Sequence, residues 1–320
     1  MSTRPATHAG SWYSSSFSKL SSQLDLYFKQ TRGAGTVAGA RVLIGPHAGY
    51  TYAGQRLAET FSSWDTTKVK RVFILGPSHH VYFSGKALVS RFHHYETPLG
   101  NLPVDVETTK ALVKSGYFKY MESGVDEDEH SFEMHAPFIY YATKDLPQGL
   151  PHIIPIMICG TDTTLNENLA KSLLPYLEDE ENTFVISSDF CHWGSRFDYT
   201  KYLPMKVNDD IITKDHLVSL TRSSVVPRPI YKSIEELDKE GMRIVSTGSY
   251  KDWKQYIATT GNTICGQKPI AIVLRTLELY QRSGSGSAGY FEWLGYSQSS
   301  KALSYSDSSV SYASGYLVIT

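Results

Sequence analysis

Val72-Phe73-Ile74-Leu75-Gly76-Pro77-Ser78-His79-His80 is the stretch from which the fold can be read. Its four apolar residues do not alternate with polar ones, so a strand built from them must be covered on both faces. Gly76-Pro77 then ends the run, and a histidine comes next in the loop. The same order recurs at Val42-Leu43-Ile44-Gly45-Pro46-His47. Residues 153–158, interrupted by Pro155, and Phe184-Val185-Ile186 have the same buried character. Four such runs predict a central parallel or mixed sheet.

Helical spacing of apolar residues lies between these runs. Phe17–Lys29 carries Leu20, Leu24, Tyr27 and Phe28, and Leu57, Phe61 and Trp64 repeat the pattern after the first strand. Residues 166–174, 211–220, 234–244 and 270–279 are further helix candidates. Strands alternating with helices define an α/β fold, a central largely buried sheet flanked by helices. Residues 290–296 and 308–319 are rich in aromatic and β-branched residues and read as late strands. The Ser/Gly tract at 283–289 reads as a surface loop, because too little chain comes after it to build a second core. One domain over residues 1–320 is therefore expected, although 320 residues leave room for two.

Composition narrows the function classes. Lys and Arg total 31 against 32 Asp and Glu, for a net charge of -1. That balance leaves no electrostatic footprint for nucleic acid and no polybasic membrane face. Apolar content of 41% with 20% charged residues is that of a globular chain and not a disordered one. No apolar run approaches the roughly 18 residues of a membrane helix, and the first residues hold no secretory apolar core. Three cysteines are too few and odd in number for a disulfide framework. A reducing, cytoplasmic location is expected, with nuclear entry open. Eleven histidines are the first hint of chemistry, since imidazole serves both as metal ligand and as proton shuttle.

Loops at the carboxyl ends of parallel strands converge, and ligands bind there. His47 and His79 occupy equivalent positions after two such strands, which sets them apart from single surface histidines. Ser187-Ser188-Asp189-Phe190-Cys191-His192-Trp193-Gly194 lies after a third. In a helical turn Asp189 and His192 would sit side by side, the Asp fixing one ring nitrogen and freeing the other for acid/base work. Asp189 reads equally as a helix cap beside a surface histidine. Cys265, just before the 270–279 helix, would feel the positive end of the dipole, which favours thiolate. A lone cysteine is also commonly a small buried hydrophobe, as Cys159 at a strand end is read. A Cys191–His192 dyad is disfavoured, because adjacent residues of an extended chain point to opposite faces.

The segment from Asp126 to His135 does not fit the zinc-protease H-E-x-x-H pattern. His130 and His135 are five apart and so roughly 140° apart around a helix. His130 and Glu133 share a face and read as a pair that orients ligands or substrate, while the acidic run before them reads as a solvated loop. The G-x-G-x-x-G at 284–289 has no leading strand or opening helix, and there is neither a P-loop nor a G-x-S-x-G elbow.

His8-Ala-Gly-Ser-Trp-Tyr13, Pro46-His-Ala-Gly-Tyr50, Ile74-Leu-Gly-Pro-Ser-His-His80 and Glu129-His-Ser-Phe-Glu-Met-His135 resemble motifs of the Memo family (mediator of ErbB2-driven cell motility). So do Ser187-Ser-Asp-Phe-Cys-His-Trp-Gly194, Asn262-Thr-Ile-Cys-Gly266 and Asp307-Ser-Ser-Val-Ser-Tyr-Ala313. They span nearly the whole chain and are similar to the fungal homologues. The family resembles in fold the LigB-like class III extradiol dioxygenases, whose Fe(II) is held by two His and one Glu with a further His as acid/base.

The resemblance implies a metal on His47, His79 and Cys265, the cysteine standing where the dioxygenases have Glu. It places the acid/base at His192 with Asp189 beside it, and makes His80, His130, Glu133 and His135 residues that orient ligands or substrate. Two imidazoles and a thiolate suit copper or zinc as well as iron, and the thiolate is oxidisable, which argues against ring cleavage. The family resemblance further implies copper or iron binding, redox activity, phosphotyrosine-peptide binding, and roles in signalling, motility or invasive growth. Three functions then compete. The first is a metal-binding redox protein or metal-dependent oxidoreductase. The second is a non-enzymatic adaptor that binds partner (phospho)peptides in a vestigial cleft; the partners expected overall are a small-molecule or peptide ligand in the cleft and signalling proteins. The third is a thiol hydrolase built on Cys265 and His192.

Overall fold

A computed structural model describes residues 1–31, 35–207 and 211–320. The apolar runs become strands. β1 (Ala40–Gly45), β2 (Arg71–Pro77), β3 (Ala87–Val89), β4 (Phe118–Tyr120) and β5 (His152–Ile158) lie in the first half. β6 (Asn182–Ser187), β7 (His192–Trp193), β8 (Glu292–Gln298) and β9 (Ser309–Val318) lie in the second. They form one nine-stranded sheet, ordered β7-β9-β1-β6-β2-β5-β3-β4, with β8 also paired to β9. β1, β6, β2 and β5 are mutually parallel. β9 joins β1 antiparallel and β3 joins β5 antiparallel, so the sheet is mixed.

Successive residues along the central strands enter opposite cores, as the absence of polar alternation requires. Val42, Ile44, Phe73, Leu75, Phe184 and Ile186 pack under Leu165, Leu169 and Leu173 of the helix Thr163–Glu178 and Ile270, Val273 and Leu277 of the helix Gln267–Ser283. Leu43, Val72, Ile74 and Val185 pack on the other side against Leu20 and Leu24 of Phe17–Lys29, Leu57 and Phe61 of Tyr50–Ser63, and Phe138 of Ala136–Thr143. Each such side chain contributes about 1.5–3 kcal/mol by leaving water. Pro155 does not break β5; its carbonyl accepts from Ser90 N–H at 3.4 Å. The late strands are β8 and β9, and the helix Gln267–Ser283 ends at a left-handed Gly284 that opens the Ser/Gly loop.

The helix expected over residues 211–220 is not formed; residues 208–210 lie outside the described residues. A 3-10 turn at Lys214–His216 precedes a two-residue strand, Val218–Ser219, which pairs with Lys201–Tyr202. Ile212, Leu217 and Leu220 are the buried positions; the first two pack with Leu203 and Leu237, and Leu220 packs with Tyr202 and Ile234. Five and three residues apart, they enter two separate clusters and do not present one helical face to a single core. Cys159 is half-buried and not a core residue. Among the described residues no helix is long and apolar enough to cross a membrane.

The parallel order brings the candidate residues to one place. β1, β6 and β2 are immediate neighbours and end at the same edge. The three loops that leave there carry His47, Asp189 and His79.

Candidate metal centre

His47 lies two residues beyond β1 and is buried. Its N–H donates to Asp189 Oδ1 at 2.8 Å. Its Nδ1 lies 2.7 Å from Ser187 Oγ, and that hydroxyl donates its proton to the Ser131 carbonyl at 2.7 Å. The hydroxyl can therefore only accept from His47, which fixes the Nδ1–H tautomer and leaves Nε2 bare. His79 is fixed in the same sense by Glu129, whose Oε1 accepts from Nδ1–H and whose Oε2 accepts from the His79 main-chain N–H, each at 2.8 Å. His79 is the solvent-facing member, its side chain 26% exposed.

The third histidine comes from a one-turn helix, His130–Glu133, docked on the end of β2. Ser131 Oγ donates to the Pro77 carbonyl at 3.1 Å. Gly76 permits this approach, since a Cβ there would lie 2.6 Å from Ser131 Oγ. The His130 ring centre is 4.2 Å from that of His79 and 5.3 Å from that of His47. One nitrogen from each of His47, His79 and His130 falls within 4.8 Å of the others.

Electrostatics keep the His47 and His130 rings neutral. Burial, then the charges of His79 and His130, holds His47 well below its usual value. Burial and His79 bring His130 down to about 3. Neutral imidazole is the form that binds metal. For Glu129, burial alone would raise the carboxyl, but the His79 hydrogen bond and the His79 and His130 charges outweigh it and bring it down to about 2. Glu129 thus presents an anion to the ring that it orients.

Cys265 approaches His47 and is not among the three residues whose ligand atoms converge. Its Sγ is 3.1 Å from His47 Nε2 and accepts from Asp189 N–H at 3.2 Å. Gly266 holds it there by donating its N–H to Ser188 Oγ at 3.0 Å, and a Cβ at 266 would overlap Ser188. The expected thiolate bias of the helix after it is reversed: burial and the Asp189 charge push the Cys265 thiol up. Asp189 and His192 do not share a helical turn. Asp189 is buried at the His47 backbone, and His192 opens β7 with Nδ1 2.9 Å from the Phe190 carbonyl and 3.0 Å from that of Thr263. Both carbonyls only accept, so His192 Nε2 is left bare. Cys191 is buried in a separate apolar cluster, on the other side of the strand from the His192 ring.

The orienting residues divide. Glu133 is buried and accepts from Arg4 Nη1 at 2.7 Å, His8 Nδ1 at 2.8 Å and Tyr13 Oη at 2.7 Å, fastening the N-terminal segment beside the cluster. His135 is buried beneath, with Nε2 3.0 Å from Ser187 Oγ. His80 is exposed, its ring centre 6.3 Å from that of His130. The acidic run is no solvated loop, because Asp126 and Glu129 are both buried. Asp126 pairs with the buried Arg4 at 3.1 Å. Glu129 and Ser187 escape sequence reasoning because each carries its role through one hydrogen bond to a ligand ring, which no spacing encodes. Trp12, against His130 at 4.5 Å between ring centres, is visible in the sequence only as part of a motif.

Three imidazoles, two with Nδ1 capped by Ser187 or Glu129, and a neighbouring sulfur are donors that copper, zinc and iron accept. The fold and site define an α/β protein with a three-histidine group, able to hold a metal ion, at the carboxyl edge of its parallel strands. The Memo-like protein family matches residues 4–316, and the chain belongs to that family. It is 43% identical to the MEMO1 family protein MHO1 of Saccharomyces cerevisiae over all of both chains. It is 43% identical to a MEMO1 family protein of Schizosaccharomyces pombe over 97% of each. Protein MEMO1 of Xenopus laevis is 42% identical, over 99% of this chain and 97% of its own.

Proposed function

We propose that this chain is a metal-binding redox protein of the Memo family that holds copper or iron, with zinc as the other ion its donors suit. His47 and His79 are the shared ligands, and His130 and Cys265 flank them as further donors. The observation that supports this is the convergence of three imidazole nitrogens within 4.8 Å. Copper or iron bound there would supply one-electron chemistry next to an oxidisable sulfur. His192, with its bare Nε2, serves as acid/base for a bound group, and Asp189 holds the His47 backbone. Ring cleavage is outside the proposal, since Cys265 stands where the resembled dioxygenases place a carboxylate. A reducing cytoplasm suits three free cysteines. The link to signalling, motility or invasive growth rests on the family resemblance.

The test is metal content by elemental analysis of the wild type and of His47→Ala and His130→Ala after loading and dialysis. Loss of stoichiometric copper or iron in both variants is expected, and full retention in both refutes the proposal. An adaptor function for partner (phospho)peptides draws on Trp12, which is 36% exposed beside His130. Trp12→Ala would then weaken partner capture without changing metal content.

A further inference from the structure

We infer that Asp238 is a positioning residue for this centre, its buried carboxylate fastening the loop that carries Cys265 to the loop that carries His192. The inference rests on the metal reading only for what those loops do, and its geometry stands apart from any ion.

Asp238 lies in the helix Ile230–Ser246 and is fully buried. Oδ1 accepts from Cys191 N–H at 3.2 Å and from Asn262 Nδ2 at 3.0 Å. Oδ2 accepts from Tyr296 Oη of β8 at 2.8 Å. No Lys, Arg or His pairs with it among the described residues. A buried carboxylate without a cation is expensive, and packing alone would be served by an apolar residue. Its partners explain its presence: Cys191 directly precedes His192, and Asn262 lies three residues before Cys265.

The two loops clasp each other only beyond this anchor. Thr263 Oγ1 accepts from His192 N–H at 2.9 Å and donates to the His192 carbonyl at 2.7 Å. Two residues later Cys265 Sγ meets Asp189 N–H and His47 Nε2. Contact therefore runs from Asp238 to Asn262 and Cys191, on to Thr263 and His192, and then to Cys265. Asp238→Ala strands the Cys191 N–H and one Asn262 amide N–H in an apolar interior and opens the clasp. Asp238→Asn keeps Oδ1 and places an amide opposite Tyr296 Oη. Tyr296 can accept that amide because its own proton has Ser311 Oγ at 3.1 Å.

The test is the rate at which iodoacetamide labels Cys265 in metal-free full-length protein, mapped by peptide mass spectrometry with half-buried Cys159 as internal reference. In Asp238→Ala, Cys265 labels faster by about tenfold or more, as expected when a hydrogen bond to a charged group leaves a local opening equilibrium. In Asp238→Asn the rate stays within about twofold of wild type, and Cys159 is unchanged in both. Asn262→Ala opens the same loop by a second route and accelerates Cys265 as well, which keeps the test available should Asp238→Ala not fold. An unchanged Cys265 rate in the alanine variants, or an equal rise at Cys159, overturns the inference. Because no metal is present, this result is independent of whether the wild type takes up copper or iron.

Discussion

Replacing Glu129 by Gln tests whether the histidine cluster is built for a metal. The carboxylate accepts from His79 N–H and Nδ1–H at 2.8 Å each and from Ser131 N–H at 2.9 Å. A glutamine presents one oxygen and one NH2. If the NH2 replaces Oε2 it faces the His79 N–H, and if it replaces Oε1 it faces both His79 Nδ1–H and Ser131 N–H. In either orientation a donor meets a donor, so His79 loses the anion that holds its Nδ1–H and directs its Nε2. Loss of such a carboxylate–histidine contact typically lowers metal affinity about 10–100-fold, or about 1.4–2.7 kcal/mol. Copper or zinc would be titrated against a chromophoric chelator, with His79→Ala as the lower limit and circular dichroism as the check on folding. A folded Glu129→Gln protein that binds within about twofold of wild type would refute the reasoning.

Burial first of all raises the Asp238 carboxyl to about 6 from the ordinary 3.8. The folded state therefore holds a proton that the unfolded chain releases, and stability is highest below about pH 4, falls by about 3 kcal/mol as pH rises towards 6, and is level above; urea unfolding of Asp238→Asn across that range should lack this slope. Gly266→Ala sets a Cβ against Ser188 and 2.7 Å from the Ser187 carbonyl oxygen, and should cost about 1–3 kcal/mol in thermal unfolding. Gly124→Ala, whose Cβ meets nothing within 4 Å, is the control and should leave the midpoint unchanged or raise it. Arg4→Met leaves the buried Asp126 and Glu133 without their guanidinium and should destabilise by about 3–5 kcal/mol, read as a lower urea midpoint.

The central strands can be read from the sequence because burial on both faces leaves a local signature, an unbroken apolar run. The same runs locate His47 and His79, since a parallel sheet sends the loop after each strand to one edge. Residues 211–220 mislead because β-branched residues at irregular spacing suit a short strand and turn as well as a helix. Glu129 is hidden by its neighbours, as Asp126, Glu127 and Asp128 make it look like part of a charged surface. Its burial depends on Arg4, more than a hundred residues earlier, which neutralises Asp126 and binds the Glu127 and Glu129 carbonyls at 3.1 and 2.8 Å. The protonation of Cys265 is hidden for a related reason. A helix dipole is a property of local sequence, whereas the Asp189 charge and the burial that outweigh it arise only in the folded chain.

The protonated state of Cys265 has a consequence for binding. The thiol sits 3.1 Å from the bare His47 Nε2, so in the absence of metal the two share one another as hydrogen-bond partners. A metal ion that takes Nε2 displaces that contact and, if it also takes the sulfur, must drive off the thiol proton against both burial and Asp189. Binding through sulfur then releases a proton and strengthens with pH, whereas binding through the histidines alone draws on His47 and His130 rings that burial already keeps neutral. The pH dependence of affinity therefore separates the sulfur-ligated centre implied by the family resemblance from the three-histidine centre that the geometry brings together. A soft ion such as Cu(I), which favours thiolate, should show the steeper dependence.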